Sequence, residues 1–334
     1  MTPSPHEQRP DSPAHPESVP AGKSHRTHLI AVVITCAAVI TLLATGVAVL
    51  IAALANDDDT DTAAREQTAQ TRPNGEGSAA GARPPSSETT PNVFPGKVLE
   101  LANHPLFQSS DVGLPNRACQ LPPWDNTEKA ARKFFRSATK CLNEAWAPLL
   151  RSHNLPFTPP RLYFPTGESF DSDCGRIEVG LATAAYYCEG ELFLPFNGLQ
   201  VEQYEDSPGV YLALIAHEYG HHVQELSGIM DAAWREIYEA GEDSPTGQEM
   251  SRRKELQAQC FSGMFLGSHV DRGGSITREM YDQAWHDQET RGDDTSGGHK
   301  HGTNQNYAMW WRVGALDNRI SDCNTFKASA ESVR

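Results

Sequence analysis

The sequence is short of positive charge. Lys and Arg total 28 residues against 43 Asp and Glu, which gives a formal net charge of −15. No basic patch stands out, and proteins that bind nucleic acid need clustered Lys and Arg to neutralise phosphates. A nucleic-acid partner is therefore not expected. The sequence also lacks an internal repeat and any Cys-x-x-Cys pair, and the second absence argues against a zinc cluster built from cysteines.

Charge is absent altogether from residues 29–55, which are long enough and apolar enough to span a bilayer with some tilt. A cleaved signal peptide has a shorter apolar run nearer the N-terminus, so a retained transmembrane helix is the better prediction. Lys23 and Arg26 precede the span, and three aspartates at 57–59 follow it. By the positive-inside rule, the N-terminus is predicted in the cytoplasm and the C-terminal bulk outside it.

The segments around this span differ in composition. Residues 1–28 are rich in Pro, Ser and His and are predicted to be a disordered cytoplasmic tail. Residues 56–96 have few large apolar residues and are predicted to be a flexible linker. Residues 97–334 are enough for one folded domain. The sequence thus predicts a single-pass protein of the cell membrane with an extracytoplasmic domain.

The cysteines agree with this location. Cys36 lies in the span, and the other six lie in the part predicted to be outside, where an even number favours disulfides. Sequence order suggests the pairs Cys119–Cys141, Cys174–Cys188 and Cys260–Cys323. The last pair would fasten the C-terminal tail to a helix discussed below.

The most informative motif is His-Glu-x-x-His at 217–221, within residues 209–226, which have apolar residues at helical spacing. His217 and His221 lie one turn apart on the same face of such a helix, so both imidazoles can reach one metal ion. Glu218 would lie beside a water on that metal and could act as a general base. A chance occurrence of so short a pattern is the alternative.

A catalytic zinc usually has three protein ligands and an open fourth position. Glu225 lies too far along the same straight helix to converge with both histidines. Residues 248–266 are predicted to form a second helix, on which Glu255 could face inward as the third ligand. The alternative for Glu255 is an ordinary surface ion pair. The three basic residues before it are expected to stay in solvent: Arg252, Arg253 and Lys254.

Four strings occur in a fixed order: Ile-Ala-His-Glu-Tyr-Gly-His-His-Val-Gln at 215–224, Glu-Leu-Gln-Ala-Gln-Cys-Phe at 255–261, His-Gly-Thr-Asn-Gln at 301–305 and Cys-Asn-Thr-Phe at 323–326. In these strings the chain resembles the neutral zinc metallopeptidases of bacterial membranes, over roughly residues 97–334. The resemblance implies one Zn²⁺ per chain, held by His217, His221 and Glu255, with Glu218 as base. It also implies a zincin-like domain of α+β class, mainly helical with a small sheet.

One residue departs from that family, which usually has Asp where this chain has Gln259. Residue 259 lies one turn after Glu255 and could accept a hydrogen bond from a ligand histidine. Loss of such a partner typically costs about 10–100-fold in metal affinity or activity. Gln259 keeps a carbonyl acceptor without the charge, so the site either survives with a weaker support or serves binding alone.

Other residues are candidates for assisting roles. His301 could stabilise the oxyanion that forms on an attacked carbonyl, or it could be a helix cap. His222 could support a ligand or lie at the surface, and the sequence does not choose between Tyr186 and Tyr187 as further donors. By analogy with related zinc peptidases, residues 186–194 could pair with an extended substrate, and a plain strand is the alternative.

The remaining pattern predicts helices at 127–149 and 305–316 and short strands at 161–164 and 190–194. The function predicted from the sequence is a membrane-anchored, extracytoplasmic zinc metallopeptidase that cuts a peptide or protein substrate of the cell envelope. The alternative is a non-catalytic ectodomain, with or without zinc, that binds an envelope partner.

Overall fold

The computed structural model describes residues 95–180 and 183–334. The predicted tail at 1–28, the predicted span at 29–55 and nearly all of the predicted linker at 56–96 lie outside these residues. Among the helices that are described, none is both long and apolar enough to cross a membrane.

Helices account for most of the described chain. In chain order they are α1 (Glu128–Ser152), α2 (Val201–Tyr204), α3 (Pro208–Ser227), α4 (Ile229–Ala240), α5 (Pro245–His269), α6 (Arg278–Asp287), α7 (Asp293–Ser296) and α8 (Asn304–Asp317). Short 3-10 helices occupy Pro105–Phe107, Phe196–Gly198, Gln288–Thr290, Ile320–Cys323 and Glu331–Val333. The four predicted helices are all present, and each differs from its predicted bounds by only a few residues at the ends.

Helix α1 extends beyond its predicted end at residue 149 and contains Pro148. Proline lacks the N–H that would bond the carbonyl of Glu144 four residues earlier. The Arg117 side chain donates to that carbonyl at 3.3 Å instead. Buried Leu149 and Leu150 then hold the last turn against the core.

Helix α3 lies at the centre of the domain and is buried on almost every side. It begins with Pro208 at its first position and ends at Gly228, whose φ of +94° is left-handed. The Gly228 N–H bonds the carbonyls of Gln224 and Glu225, which satisfies two groups at the helix end. A β-carbon at Gly228 would also meet the Val98 carbonyl at 2.7 Å, so glycine is required here twice over.

Helix α5 crosses α3 at short range. A β-carbon at Gly220 would lie 2.8 Å from the Ala258 carbonyl oxygen, so only glycine permits this crossing. This close approach brings α5 beside the two histidines of α3. On its other side, α5 packs along α8.

The small sheet has the strand order β1 (Arg161–Tyr163), β5 (Glu191–Phe193), β4 (Tyr186–Cys188). Strand β1 is parallel to β5, and β4 is antiparallel to it. Strands β2 (Ser169–Ser172) and β3 (Gly175–Glu178) form a separate hairpin. The prediction of a mainly helical chain with a small sheet is therefore confirmed for the described residues.

Three disulfides brace these elements: Cys119–Cys141, Cys174–Cys188 and Cys260–Cys323. They are the pairs that sequence order suggested. The first holds the segment before α1 to that helix, and the second ties the turn of the β2–β3 hairpin to β4. The third fastens the 3-10 helix Ile320–Cys323 to α5.

Candidate metal centre

His217 and His221 lie on one face of α3, with ring centroids 4.9 Å apart. Glu255 of α5 faces them across the close crossing at Gly220. Its Oε2 lies 3.4 Å from His217 Nε2 and 3.0 Å from His221 Nε2. Each of the three residues thus offers one ligand atom within 4.8 Å of the others.

This spacing fits zinc. Ligand atoms placed tetrahedrally at about 2.0–2.1 Å from Zn²⁺ lie roughly 3.3 Å from one another, close to the 3.4 and 3.0 Å that separate Glu255 Oε2 from the two histidines. Two imidazole nitrogens and one carboxylate oxygen are also a donor set that catalytic zinc takes. All three side chains are nearly buried, with 9 to 12% of each exposed.

The hydrogen bonds of the histidines prepare them to bind a metal. His217 Nδ1 lies 3.0 Å from Gln259 Oε1, and His221 Nδ1 lies 2.9 Å from Gln224 Oε1. An amide oxygen only accepts, so each Nδ1 carries the proton and each Nε2 keeps a lone pair facing Glu255. Both histidines are therefore oriented by neutral glutamines.

The orientation of Gln224 follows from its other bonds. Its Nε2 donates to the Lys254 carbonyl at 2.8 Å and to Gln257 Oε1 at 3.0 Å. A backbone carbonyl accepts only, so the amide nitrogen must face it and the oxygen must face His221. Gln257 Nε2 in turn donates to the Cys323 carbonyl at 3.2 Å. A chain of amides thus runs from His221 to the Cys260–Cys323 disulfide.

Lys254 corrects a prediction made from sequence. Lys254 and Arg253 were expected in solvent, but both are buried. Lys254 Nζ lies 2.8 Å from Glu255 Oε1 and 4.8 Å from the centroid of the Trp234 ring on α4. The helical pattern could not reveal this, because the surface that buries Lys254 belongs to another helix. Arg253 is enclosed by Glu249 and by the Thr325 and Ala328 carbonyls.

The two oxygens of Glu255 therefore have different surroundings. Oε2 faces the histidines, while Oε1 is held by Lys254. Burial acts to raise the pKa of Glu255, but Lys254 and the two histidines outweigh it and hold the pKa well below its ordinary value. The carboxylate thus stays ionised, as a metal ligand must be.

Glu218 follows His217 in the chain and is 9% exposed. Burial raises the pKa of its carboxyl to about 7, although the neighbouring His217 acts in the opposite direction. A base with a pKa near neutrality suits proton transfer at physiological pH. Glu218 is not one of the three clustered ligand residues, which agrees with the predicted role beside the metal.

His301 lies on the open side of the centre, with 41% of its side chain exposed. Its Nε2 is 3.9 Å from Glu255 Oε2, beyond hydrogen-bond distance. Asp293 holds the loop by accepting from the backbone N–H groups of His301 and Gly302. Burial acts to lower the pKa of His301, but Asp293 and Glu255 outweigh it and raise the pKa. A rim imidazole whose pKa is raised keeps His301 a candidate oxyanion donor.

The structure distinguishes the two tyrosines. The Tyr187 hydroxyl lies 3.1 Å from His222 Nδ1 and accepts from the Gly190 N–H at 2.9 Å. Tyr186, on the other face of β4, is only partly buried. Burial raises its pKa, and Glu218 and Glu255 raise it further. Of these two tyrosines, Tyr186 is therefore the one whose pKa is affected by the carboxylates of the metal centre.

His222 supports neither ligand. It is buried, and its second ring nitrogen, Nε2, lies 2.8 Å from the Thr158 carbonyl. Because Nδ1 bonds the Tyr187 hydroxyl of β4, the two ring nitrogens link α3 to β4 and to the segment before β1. The predictions that it supports a ligand or lies at the surface are thus both corrected, because an adjacent residue on a helix points to a different neighbour.

The predicted substrate edge at 186–194 is only partly available. Strand β5 is paired on both sides, by β1 and β4, so it has no free edge. Strand β4 is an edge strand and lies against α3. The predicted surface for an extended substrate is therefore narrowed to residues 186–188.

Glu225, rejected as a ligand from sequence, pairs instead with Lys97. His269, the last residue of α5, is fully buried and bonds the Phe265 carbonyl at 2.8 Å. Sequence reasoning missed Gln224, Lys254 and Asp293. Gln224 had a signal, since it lies three residues after His221 on one helix. Lys254 and Asp293 had none, because their roles depend on contacts between distant segments.

Comparison with known proteins agrees with this geometry. Residues 115–326, more than half of the 334 residues, match the family described as "Putative neutral zinc metallopeptidase". YpfJ of Escherichia coli, an uncharacterized protein, is 24% identical over 217 residues, covering 60% of this chain and 74% of YpfJ. Rv2575 of Mycobacterium tuberculosis, also uncharacterized, is 26% identical over 215 residues, covering 56% and 68%. No solved structure matches this chain. The chain belongs to the neutral zinc metallopeptidase family, as its four sequence strings indicated.

Proposed function

We propose that this protein is a membrane-anchored, extracytoplasmic zinc metallopeptidase that hydrolyses peptide bonds. The observation that carries the proposal is the convergence of His217 Nε2, His221 Nε2 and Glu255 Oε2, with a buried carboxyl of raised pKa beside them. Metal ligands without a neighbouring base would also be compatible with a metal that only stabilises the fold. The additional base, Glu218, favours catalysis.

When bound, zinc polarises the scissile carbonyl and lowers the pKa of water. Glu218 takes the proton from the attacking water and passes it to the leaving amine. Gln259 and Gln224 hold the ligand imidazoles in one tautomer and orientation. Lys254 holds one oxygen of Glu255 and leaves the other for the metal.

Two further residues are placed to assist. His301 lies at the rim with a raised pKa and can donate to the oxyanion as the carbonyl is attacked. The edge strand β4 offers backbone groups to an extended substrate, which orients a peptide beside the centre. Peptide or protein substrates of the cell envelope are proposed on this basis and on the predicted location.

Metal content tests the ligand set. His217→Ala, His221→Ala and Glu255→Ala should each sharply lower the zinc that the purified protein retains, from about one per chain, because two ligands hold zinc weakly. The matched control is Glu225→Ala, which removes a carboxylate of α3 that pairs with Lys97. Mass spectrometry of metals gives the readout. Full retention in Glu255→Ala would remove Glu255 as third ligand.

Location rests on the uncharged run at 29–55 and is supported by the three disulfides, which belong to an oxidising compartment. A reporter that is active only outside the cytoplasm should be active when fused after Arg334. The same reporter fused before residue 29 should be inactive. The opposite pattern would reverse the proposed topology.

A further inference from the structure

A small cavity of about 40 Å³ lies behind His217, on the side of its Nδ1. Gln259, Asp287, Arg291 and Tyr307 contribute to its lining along with His217. The cavity is thus walled by the residue that orients a ligand histidine and by an acid–base pair with no part in the proposed chemistry.

Asp287 is the unusual member of this lining. Only 6% of its side chain is exposed, and its Oδ2 lies 2.9 Å from Arg291 Nε, one helical turn away. Its Oδ1 is buried and has no hydrogen-bond partner among the described residues. The Tyr204 hydroxyl lies near this carboxylate, but it makes no hydrogen bond of normal distance and angle to Oδ1. Asp287 therefore lines the cavity with one carboxylate oxygen that no described residue pairs.

Gln259 has a matching free group. Its Oε1 accepts from His217, and its Nε2 donates one proton to Gln288 Oε1. An amide nitrogen carries two protons, so one N–H of Gln259, a residue of the cavity lining, has no partner among the described residues. Asp287 and Gln288 are consecutive residues, so the free carboxylate oxygen and the free amide N–H belong to one small region.

Buried carboxylate oxygens are rarely left without a partner, because the cost of desolvation is then not recovered. A polar cavity of this size holds one or two waters when two or more polar groups face it. Asp287, Gln259 and Tyr307 all belong to the lining and carry such groups. Water can therefore join the carboxylate to the amide.

We propose that this cavity binds water which links Asp287 to Gln259, and that Asp287 is a positioning residue for His217. Gln259 alone is a neutral acceptor. Through the water, Asp287 would add a charged acceptor behind Gln259, with Arg291 balancing the net charge from the other oxygen. The polarised amide then pulls harder on the His217 N–H, which makes Nε2 a better metal ligand. The proposal rests on the proposed zinc site and extends it to a residue outside that site.

A carboxylate at position 259 would accept the His217 N–H directly, without the water that links Asp287 to Gln259. In the wild-type background, however, Gln259→Asp puts a second carboxylate on the cavity that Asp287 already faces. The two carboxylates would then share one buried cation, Arg291, and their mutual repulsion would largely offset the gain from a stronger acceptor. When Asp287 is neutralised, the repulsion is gone and the same substitution should help.

The experiment is a double-mutant cycle on the full-length protein, with zinc affinity measured by competition against a chromophoric chelator. Asp287→Asn should weaken zinc binding by about 3- to 10-fold, less than the roughly 10–100-fold for a directly bonded partner. Gln259→Asp should change affinity by less than about threefold, and in the Asp287→Asn background it should restore or exceed wild-type affinity.

The control is Glu249→Gln, which neutralises another carboxylate paired with an arginine four residues on, away from the metal centre. It should leave zinc affinity unchanged. If Gln259→Asp has the same effect in both backgrounds, or if Asp287→Asn behaves like the control, the inference is wrong. If Asp287→Asn does not fold, Gln259→Asp alone is the test. A gain of about 10-fold or more in its zinc affinity would overturn the role proposed for Asp287. A wild-type protein that binds no zinc refutes the proposed function instead.

Discussion

Among single residues, the buried histidine His269 gives the fold a pH dependence separate from the metal centre. Burial lowers its pKa to about 4. In the unfolded chain it takes up a proton below about 6.5, while the folded protein keeps it neutral until the pH approaches 4. The unfolded state then binds more protons, so the stability present above pH 6.5 is lost as the pH falls towards 4.

We therefore expect His269→Gln to flatten the fall in unfolding free energy between pH 6.5 and 4, by at most about 3 kcal/mol. His286→Gln, at an exposed position, is the control and should leave the slope unchanged. Urea unfolding at several pH values, with a chelator present to remove zinc, gives the measurement. Equal slopes in the three proteins would contradict this account of His269.

Residues also show where prediction from sequence stops. The ligand histidines were predicted because their spacing puts them on one helix face. Glu218 was predicted from its place in the motif, and Glu255 as the third ligand that a second helix had to supply. The burial of Lys254 and the partnership of Gln259 with Gln288 were not, because each depends on how α5 meets another helix. The spacing of apolar residues shows which face of a helix is buried. It does not show which neighbouring element covers that face.

At the scale of elements, the Cys260–Cys323 disulfide joins the stability of the fold to the metal centre. The Cys323 carbonyl ends the chain of amides that begins at His221. Replacing both cysteines by serine should cost about 4 kcal/mol, since the bond closes a loop of 63 residues. It should also weaken zinc binding, because the C-terminal segment that holds Gln257 is released.

The Cys174–Cys188 pair is the matched control, with a separation of 14 residues and no link to His221. Its removal should cost about 3 kcal/mol and leave zinc affinity unchanged, within the limits of a still-folded protein. Thermal unfolding and chelator competition on both double variants give the readouts. Equal zinc affinities in the two variants would show that the amide chain does not support His221.

The sequence predicted the helices better than the strands. Helices α1, α3, α5 and α8 are long and periodic, so their existence followed from the apolar pattern. The strands are only three or four residues long, too short for alternation to reveal which one lies at the edge. For that reason the substrate edge was predicted too broadly, and only the strand order limited it to β4.

For the whole molecule, the sequence predicts a tail, a span, a linker and one catalytic domain, and the family match and the metal centre concern the last of these. Its disulfides are of the kind that forms in an oxidising compartment, and the location itself stays a prediction. The anchor and the substrate stay predictions. The decisive issue for the molecule is whether it cuts peptides or only binds a metal and a partner.

Glu218→Gln decides this most directly, because the substitution keeps the size of the side chain and removes the proton acceptor. The measurement is zinc content together with digestion of a broad peptide library, on wild type and variant. The account predicts about one zinc in each, peptide cleavage by wild type, and a loss of about 10²–10⁴-fold or more in the variant. Zinc in both proteins with cleavage in neither, or equal cleavage in both, would contradict it.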